Sequence, residues 1–293
     1  MPSGIDHVIL TRFNLPTPGV ESLVRAQEGW LRNRVVLFER YCVPSVLAQS
    51  QRRFHWIIYF DPESPGWLKE KVAEYEAAGT FSPIFRTSVS HDELIADLRS
   101  VTGAAGDELI TTNLDNDDGL SSDFVDRVQS ADAPRPRSAV YLSRGLIKSP
   151  DGLFLRTDRH NAFCSVRETW DDPQTCWVDW HDLLPRHMPV LEIAGSPGWL
   201  QVVHGGNVSN RIRGALASPI TYRAGFSGLI DDVRVPTRHQ LLRDALVSQP
   251  ARALRETARS AAKRGARAVL GKDGLDRLKS LLAGMRGGRG KNP

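Results

Sequence analysis

Three carboxylates lie within four positions of this 293-residue chain, at Asp115, Asp117 and Asp118. They follow the apolar, β-branched run 109–112 and are closed by Gly119, and a helical pattern begins soon afterwards. This order is typical of a buried strand whose carboxyl end carries an acidic turn. Because crowded carboxylates repel one another when ionised, they need a compensating cation. Mn²⁺ or Mg²⁺ fits such a site, with phosphate oxygens completing its coordination shell.

Two other interpretations of the acidic turn are an EF-hand calcium loop and a helix cap. An EF-hand needs glycine at position 6 and glutamate at position 12. Counting from Asp115, glycine falls at position 5 and Asp126 at position 12, which excludes that loop. In the second interpretation Asp118, Ser121 or Ser122 caps the following helix and the other acids are solvated. The sequence leaves this alternative open.

Strands and helices alternate in the first half of the chain and must position the turn. The strand patterns cover residues 6–14, 54–60 and 80–87 and a fourth run from 109, and the helical patterns cover 30–51, 67–78 and 90–100. Pro44 is expected to kink or restart the first helix, and Ser90 to cap the third. The alternation predicts right-handed β-α-β units and a mostly parallel sheet. Because no GxGxxG or GxxxxGK[ST] motif is present, acids at strand ends, Asp61 and the acidic turn, replace glycine-rich phosphate loops.

The second half carries less specific signals. Residues 139–148 and 152–156 predict a β-hairpin. Aromatic and titratable residues then crowd a short segment: Trp170, Trp177, Asp179, Trp180, His181, Asp182 and His187. Indole rings suit the flat, weakly apolar faces of sugars, and acids or imidazoles suit their hydroxyls. The alternative, that the tryptophans fill the core while the polar groups face water, stays open.

A late strand pattern, 200–203, leads into His204, Gly205, Gly206 and Asn207. Two glycines allow the backbone to approach a ligand closely. A lone histidine is more often a structural residue than a metal ligand, so the residues alone do not assign His204.

Composition describes an ordinary globular protein, with 41% hydrophobic and 25% charged residues. The three cysteines contain no CxxC pair, which argues against a disulfide framework or a zinc site. With no signal-peptide pattern and no membrane-length apolar run, we expect a cytoplasmic protein. Residues 251–293 contain twelve Lys and Arg and three acids, which gives this tail a net charge of +9. Since the whole chain has a net charge of +4, the preceding 250 residues carry −5. The body is therefore not expected to bind nucleic acid, whereas the tail predicts a basic amphipathic helix pair at an anionic membrane surface. The alternatives are a solvated or partly disordered tail, or a helix docked on the acidic body.

Several ordered stretches resemble a GT-A glycosyltransferase of the family-2 type. They are Asn14, residues 44–50, residues 57–61 with Ser64, and residues 114–118. In detail the chain is most similar to the rhamnosyltransferase family, through residues 11–14, 37–42, 111–119 and 199–210. The resemblance covers about residues 5–214. It implies an α/β fold with a GT-A-type nucleotide-binding sheet flanked by helices as a catalytic domain (1–215), followed by a helical C-terminal extension (216–293) with the basic tail.

The resemblance also implies roles for individual residues. Asp61 would contact the base or ribose of a nucleotide-sugar donor, and Asp115 and Asp117 would form a DxD pair at the ribose and the metal, with Asp118 beside them. The loop after Asp61, residues 62–65, departs from the family-2 pattern because the usual second acid is missing. The complete expected site comprises Asn14, Asp61, Asp115, Asn116, Gly205, Gly206 and Asn207 for the donor, Asp115, Asp117 and His204 for Mn²⁺ or Mg²⁺, and Trp177, Trp180 and His181 for the acceptor.

The expected function is metal-dependent, inverting transfer of a sugar, with L-rhamnose favoured, from a nucleotide-diphosphate donor to a glycan or glycolipid in polysaccharide biosynthesis. Inversion needs a carboxylate base, and Asp179 and Asp182 are the candidates, Asp179 being preferred. One alternative is a nucleotidyltransferase or phosphotransferase on the same metal site, which ranks lower because only Arg12 is basic near the first strand. The other is a non-catalytic carbohydrate-binding or scaffold protein, against which the intact Asp115 and Asp117 argue.

Overall fold

The computed structural model of the chain describes residues 4–16, 29–204, 212–255 and 257. Two β-sheets form its framework. The strands described are β1 (Ile5–Arg12), β2 (His55–Phe60), β3 (Ser82–Phe85), β4 (Glu108–Asn113), β5 (Gly119–Leu120), β6 (Arg137–Leu142), β7 (Arg144–Ser149), β8 (Gly152–Thr157), β9 (Ser165–Thr169), β10 (Val190–Ile193), β11 (Trp199–Val202) and β12 (Ala215–Ala217).

The larger sheet has seven strands in the order β10-β6-β9-β4-β1-β2-β3. The pairs β4–β1, β1–β2 and β2–β3 are parallel, whereas β9 runs antiparallel to both of its neighbours. The mostly parallel sheet predicted for the first half of the chain is therefore confirmed. Because β1, β2 and β4 point the same way, the residues that follow them meet at one edge, where open α/β sheets bind ligands.

Helices cover both faces of this sheet. The helical segments are α1 (Trp30–Leu37), a π-helical turn (Phe38–Cys42), α2 (Val43–Leu47), α3 (Gly66–Ala77), α4 (His91–Thr102), α5 (Phe124–Gln129), two 3₁₀ turns (Leu184–Arg186 and Pro219–Tyr222), and α6 (Arg238–Arg243), which a second π-helical turn (Asp244–Ser248) continues. Ser90 caps α4 as predicted, since Glu93 N donates to its hydroxyl and its own N–H donates to the Glu93 carboxylate.

The first helix is irregular before Pro44 rather than at it. The helix passes from α1 through the π-helical turn into α2, where Pro44 occupies an early position. Proline has no N–H to donate to the preceding turn. The wider turn ends at Cys42, and α-helical hydrogen bonding resumes at Val43 and continues to Leu47. The α-helix therefore restarts at Pro44, which is one of the two expected outcomes.

Alternate residues of the central strands fill two cores. Ile9 of β1 and Ile58 of β2 pack on one face beneath α1, α2 and α3, while Leu10 and Ile57 pack on the other face beneath α4. All four side chains are fully buried. Burial on both faces explains why β2 is almost entirely apolar. The α/β class with a central sheet flanked by helices is confirmed.

The smaller sheet has the order β12-β8-β7-β11-β5. Strands β7 and β8 form the hairpin expected in this region. The predicted first arm, 139–148, is divided: its first half belongs to β6 of the larger sheet, and the chain changes sheets at Ser143. The two-residue β5, which follows the acidic turn at once, pairs antiparallel with β11. This pairing connects the turn to the segment that leads into His204.

The C-terminal part differs from the helical extension expected after residue 215. Strand β12 spans the expected domain boundary and pairs with β8, and Phe226, Leu229 and Ile230 pack against the smaller sheet. The helical structure predicted for residues 223–233 is wrong, because turns and bends occupy this stretch. One of them contains Gly228, whose φ is 78°. The division at 215/216 stays a prediction, and the basic tail after 257 lies outside the described residues. In the part of the chain that is described, no helix has the length and apolar character needed to cross a membrane.

Candidate active site

The acidic turn lies at the carboxyl edge of the larger sheet, directly beside the end of β1. Asn116 holds it there, because its Nδ2 donates to Phe13 O at 2.6 Å and to Arg12 O at 3.3 Å. Leu114 N donates to Leu10 O at 3.0 Å. Asn116, expected at the donor site, is buried and joins two strand ends.

Asp117 contacts two basic side chains. His204 Nε2 donates to Asp117 Oδ2 at 3.0 Å, and Arg34 Nη1 forms an ion pair with the same oxygen. Arg34 Nη1 also donates to Asn116 Oδ1 at 3.1 Å. Burial opposes ionisation of Asp117, but the hydrogen bond from His204 and the charge of Arg34 outweigh it and hold its pKa below the ordinary value. The sheet pairing thus brings together Asp117 and His204, two of the three predicted metal ligands.

Asp118 points into the protein and joins the turn to β11. Its Oδ1 accepts from Val202 N at 2.7 Å, and its side chain is almost fully buried. Burial raises its pKa well above the ordinary value, and the charges of Asp117 and Asp115 add to the shift. Helix α5 begins at Phe124 with no side-chain cap hydrogen bond. The helix-cap interpretation of the turn is therefore wrong.

Asp115 has a different environment. Its side chain is exposed to solvent, yet surrounding protein atoms still disfavour its charge. Desolvation, followed by the charge of Asp117, raises the pKa of Asp115 to about 6. The turn therefore offers one firmly ionised carboxylate and one that titrates close to neutral pH.

The end of β2 is connected to the same edge through Asn14. Its Oδ1 accepts from Asp61 N at 3.1 Å, and its Nδ2 donates to Ser64 Oγ at 2.9 Å. The Asp61 carboxylate accepts from Glu63 N at 2.8 Å, which orients it within the turn after β2. Asn14 and Asp61, both expected at the donor site, thus lie together beside the end of β1.

Gln49 supports the far side of the acidic turn and was not assigned a role from the sequence. Its Nε2 donates to Ser45 O and Ser121 O, at 2.9 and 2.8 Å, and its Oε1 accepts from Val125 N at 3.0 Å. The side chain is buried. Gln49 lies in one of the stretches that carry the family resemblance, and its contacts indicate a structural reason for that stretch.

Trp177, expected at the acceptor site, lies at the carboxyl edge of the larger sheet beside the end of β4. Its Nε1 donates to Asn113 Oδ1 at 2.8 Å, and the Arg12 guanidinium lies 4.1 Å from its ring centre. Its ring also packs 5.6 Å from that of Tyr59. Trp180 differs, being 71% exposed. Trp177 therefore combines a packing contact with a place beside the site, while Trp180 is open to a ligand.

The two candidate bases have different surroundings. Asp179 Oδ2 accepts from His187 Nε2 at 2.9 Å and Oδ1 accepts from Trp180 N at 2.8 Å, and these bonds, the first above all, lower its pKa. Asp182 is exposed, and its charge acts on the neighbouring His181. Desolvation is the largest influence on His181 and lowers its pKa.

The segment that carries the candidate bases is anchored to β6. Tyr141 OH donates to His181 O at 2.6 Å, and the Tyr141 ring lies 5.4 Å from His160. Asp158 also lies close enough to act on His181. His160 and Asp158 were not predicted, because they precede His181 by 21 and 23 positions and only the fold brings them near it.

Gly205, Gly206 and Asn207, expected at the donor site, lie outside the described residues. Arg34 was missed entirely. A sequence signal existed, since Trp30, Arg34 and Phe38 are spaced by four and share one helix face, but that pattern also fits an ordinary helix.

The side chains at the turn are of the chemical types that can bind a hard divalent cation. The two carboxylates are ligands that both Mn²⁺ and Mg²⁺ accept, and the imidazole of His204 suits Mn²⁺ better than the harder Mg²⁺. Within the ranges the structure describes, no group of three or more His, Cys, Asp or Glu side chains is arranged to hold a metal ion. The residues therefore fit such a cation only if phosphate oxygens or water supply further ligands and Arg34 moves from Asp117.

This helix-flanked sheet, with acids at the carboxyl ends of β2 and β4, has the arrangement expected of a GT-A-type transferase. The family model described as "Putative rhamnosyl transferase" matches residues 6–216. The chain belongs to this family, and its predicted membership in a glycosyltransferase family is confirmed. No curated protein sequence matches the chain.

Solved structures resemble the chain only distantly. S. aureus TarS 1–349 in complex with UDP is 8% identical, with a TM-score of 0.39 over 68% of this chain and 60% of that one. A putative nucleotide-diphospho-sugar transferase from Desulfovibrio desulfuricans G20 is 10% identical, with a TM-score of 0.34 over 76% and 92%. The inositol-1-phosphate CTP transferase from T. maritima is 10% identical, with a TM-score of 0.36 over 79% and 99%. The chain thus spans about 60% of the TarS fragment it matches.

Proposed function

We propose that this protein transfers a sugar, L-rhamnose above other deoxyhexoses, from a nucleotide-diphosphate donor to a hydroxyl group of a glycan or glycolipid. The observation that carries the proposal is the contact between Asp117 and His204 at the carboxyl edge of the sheet, beside Asn14 and Asp61. Family membership supports the reaction class.

The donor would lie along this edge. Asp61, oriented by the turn after β2, would accept hydrogen bonds from the ribose or base, and Asp115 and Asn116 would lie at the ribose and diphosphate. Asp115, Asp117 and His204 would hold Mn²⁺ or Mg²⁺. Such a cation supplies Lewis-acid stabilisation of the negative charge on a departing diphosphate.

The acceptor would enter beside Trp177, Trp180 and His181. In a single displacement, the acceptor oxygen forms a bond to the anomeric carbon while the bond to the diphosphate breaks, and the diphosphate leaves with that electron pair. The configuration inverts, and a carboxylate takes the acceptor proton. We favour Asp182 for this role, because both oxygens of Asp179 already accept hydrogen bonds that lower its pKa.

A nucleotidyltransferase or phosphotransferase remains the second candidate. It ranked lower because only Arg12 was basic near the first strand, and Arg34 adds a second cation at the acidic turn. A non-catalytic carbohydrate-binding or scaffold protein is the third candidate. Metal-dependent nucleotide binding would argue against it.

Contact with an anionic membrane surface is proposed for the C-terminal part. Leu242, Leu246, Val247 and Leu254 of the helical segment from Arg238 are each more than 60% exposed. The basic residues of the tail begin at Arg252, within the same segment. Exposed apolar residues next to basic ones suit the interface of an anionic bilayer. The cytoplasmic location, peripheral to the inner membrane face, remains a prediction.

Calorimetric titration with UDP and dTDP, with and without Mn²⁺, tests the proposal, followed by mass spectrometry of products from a panel of nucleotide sugars. We expect nucleotide binding that requires the metal and a product whose mass increases by one sugar residue. Transfer of a nucleotidyl or phosphoryl group would select the second candidate. An absence of nucleotide binding in both titrations would overturn the transferase.

A further inference from the structure

We propose that Arg34 serves as an internal cation for Asp117 in the donor-free protein, and that it moves to the donor's diphosphate when a divalent cation binds Asp117. The inference rests on the proposed function, because it concerns the metal and donor of that site. It assigns to α1 a direct part in donor binding.

The geometry around Arg34 is that of a cation site already filled. Arg34 Nη1 contacts both the Asp117 carboxylate and Asn116 Oδ1. The side chains of Arg34 and Asp117 are only 14% and 7% exposed. A buried carboxylate is costly unless it is paired. Arg34 therefore provides, in the absence of a metal, the positive charge that the acidic turn needs.

A divalent cation and Arg34 cannot share this position. Arg34 Nη1 and His204 Nε2 both contact Asp117 Oδ2, so a cation held by Asp117 and His204 would lie beside the guanidinium. Two cations on one buried carboxylate repel each other strongly, because little water screens them. Metal binding must therefore displace the guanidinium, and Arg34 must oppose metal binding until it has another anion to pair with.

The donor's diphosphate is the anion that fits. A guanidinium pairs with phosphate oxygens through parallel N–H donors. Arg34 lies next to Asn116, at the edge where the proposed donor binds, and the Trp30 ring, 5.0 Å from its guanidinium, limits how far it can move. The exchange of partners links metal binding to donor binding, so that each favours the other.

Substitution of Arg34 should therefore change two affinities in opposite directions. We expect Arg34→Gln to bind Mn²⁺ alone at least tenfold more tightly than the wild type, because the competing cation is gone. The same variant should bind UDP or dTDP in saturating Mn²⁺ at least tenfold more weakly, because a diphosphate contact is lost. Electron paramagnetic resonance of free Mn²⁺ measures the first affinity and calorimetry the second.

The matched control is Arg32→Gln on the same helix. Arg32 is exposed and its guanidinium lies over the Trp67 ring at 4.5 Å, so both affinities should stay within twofold of the wild type. Arg34→Lys guards against misfolding of the glutamine variant. It keeps the competing charge but not the paired donors, so Mn²⁺ affinity should stay within threefold while nucleotide affinity falls.

Other results with Arg34→Gln would overturn the exchange of partners. Weaker binding of both Mn²⁺ and nucleotide by Arg34→Gln would make Arg34 a structural residue and overturn the exchange. Unchanged affinities would overturn it too. If the wild-type protein binds no Mn²⁺ even with nucleotide present, the metal site of the proposed function fails, and the exchange fails with it. If the wild type binds both but the variant shows no opposite changes, only the exchange fails.

Discussion

His204 Nε2 and Asp117 Oδ2 lie 3.0 Å apart although 87 positions separate the two residues. The pairing of β5 with β11 produces this contact, because β5 follows the acidic turn and β11 precedes His204. Asp118 strengthens the arrangement by accepting from Val202 N. The candidate active site is therefore assembled where the two sheets meet.

Substitution of Asp117 should stop transfer without unfolding the protein. We expect Asp117→Asn to lower the transfer rate at least a hundredfold, because the ionised oxygen shared by His204 and Arg34 is lost. Steady-state rates in Mn²⁺ and a thermal unfolding curve measure the two effects. Asp118→Asn is the control, since asparagine can still accept from Val202 N and the raised pKa of Asp118 already favours a neutral group. Full turnover by Asp117→Asn in Mn²⁺ would disprove the metal assignment.

The two candidate bases should be separable by kinetics. Asp182→Asn should lower kcat by about 10²–10⁴-fold, the usual contribution of a general base, with little change in the KM for the donor. Asp179→Asn should have a smaller effect, because Asp179 is held by His187 and Trp180 N. Initial-rate kinetics with varied donor and fixed acceptor separate kcat from KM. The reverse ranking would identify Asp179 as the base.

His7 should make stability depend on pH. It is buried, and desolvation, helped by the charge of Arg167, lowers its pKa to about 3. Gln129 Nε2 donates to His7 Nδ1 at 3.3 Å, and His7 Nε2 donates to Thr112 Oγ1 at 2.8 Å. In the unfolded chain His7 binds a proton near pH 6.5, whereas in the folded chain it binds one only near pH 3. The stability that His7 contributes is therefore complete above pH 6.5 and is lost as the pH falls through this range.

The test compares wild type with His7→Gln by urea unfolding at pH 4.5 and 6.0. One proton contributes a slope of about 1.4 kcal/mol per pH unit. On acidification the wild type should therefore lose about 2 kcal/mol more of its free energy of unfolding than the variant does. Parallel losses in the two proteins would show that His7 does not titrate as described.

Gly145 should not tolerate a side chain. A Cβ added there would lie 1.9 Å from Trp199 Cδ2. The Trp199 ring stacks on Phe163 at 5.1 Å, and its Nε1 donates to Leu142 O, so it has little room to move. We expect Gly145→Ala to reduce the free energy of unfolding by about 1–3 kcal/mol, the usual cost of overpacking.

Gly66 provides the matched control for this substitution. It begins α3, and an added Cβ would meet nothing within 4 Å. Gly66→Ala should be neutral or stabilise by up to about 1 kcal/mol, because alanine loses less backbone freedom on folding. Denaturant unfolding of both variants checks the pair, and equal effects would show that the contact with Trp199 is not the cause.

Membrane association should depend on the exposed apolar side chains of the C-terminal helical segment. Replacing Leu242, Leu246 and Leu254 together with glutamine should weaken binding to vesicles containing phosphatidylglycerol at least fivefold, because these side chains are 61%, 76% and 72% exposed. Vesicle sedimentation measures binding. Val36→Gln, 60% exposed on α1, is the control and should bind normally. Unchanged binding by the triple variant would remove this segment from the membrane proposal.

Local sequence patterns were sufficient for much of the first half of the fold. The apolar run of β2 predicted a strand buried on both faces, and Ser90 with Glu93 predicted the start of α4. These features were predictable because strand burial and helix capping depend on residues close together in the chain. The acidic turn was also visible, since its carboxylates are neighbours in sequence.

The tertiary structure decided which residues meet at that turn. Arg34 reaches Asp117 and Asn116 from 82 or more positions away, and no local pattern distinguishes it from other arginines on the same helix. The opposite pKa shifts of Asp115 and Asp117 also depend on burial and on partners contributed by α1 and by the segment after β11. The sequence by itself determined that carboxylates would gather at a strand end. Their charge, partners and accessibility depend on contacts between distant segments, and only the folded chain forms those contacts.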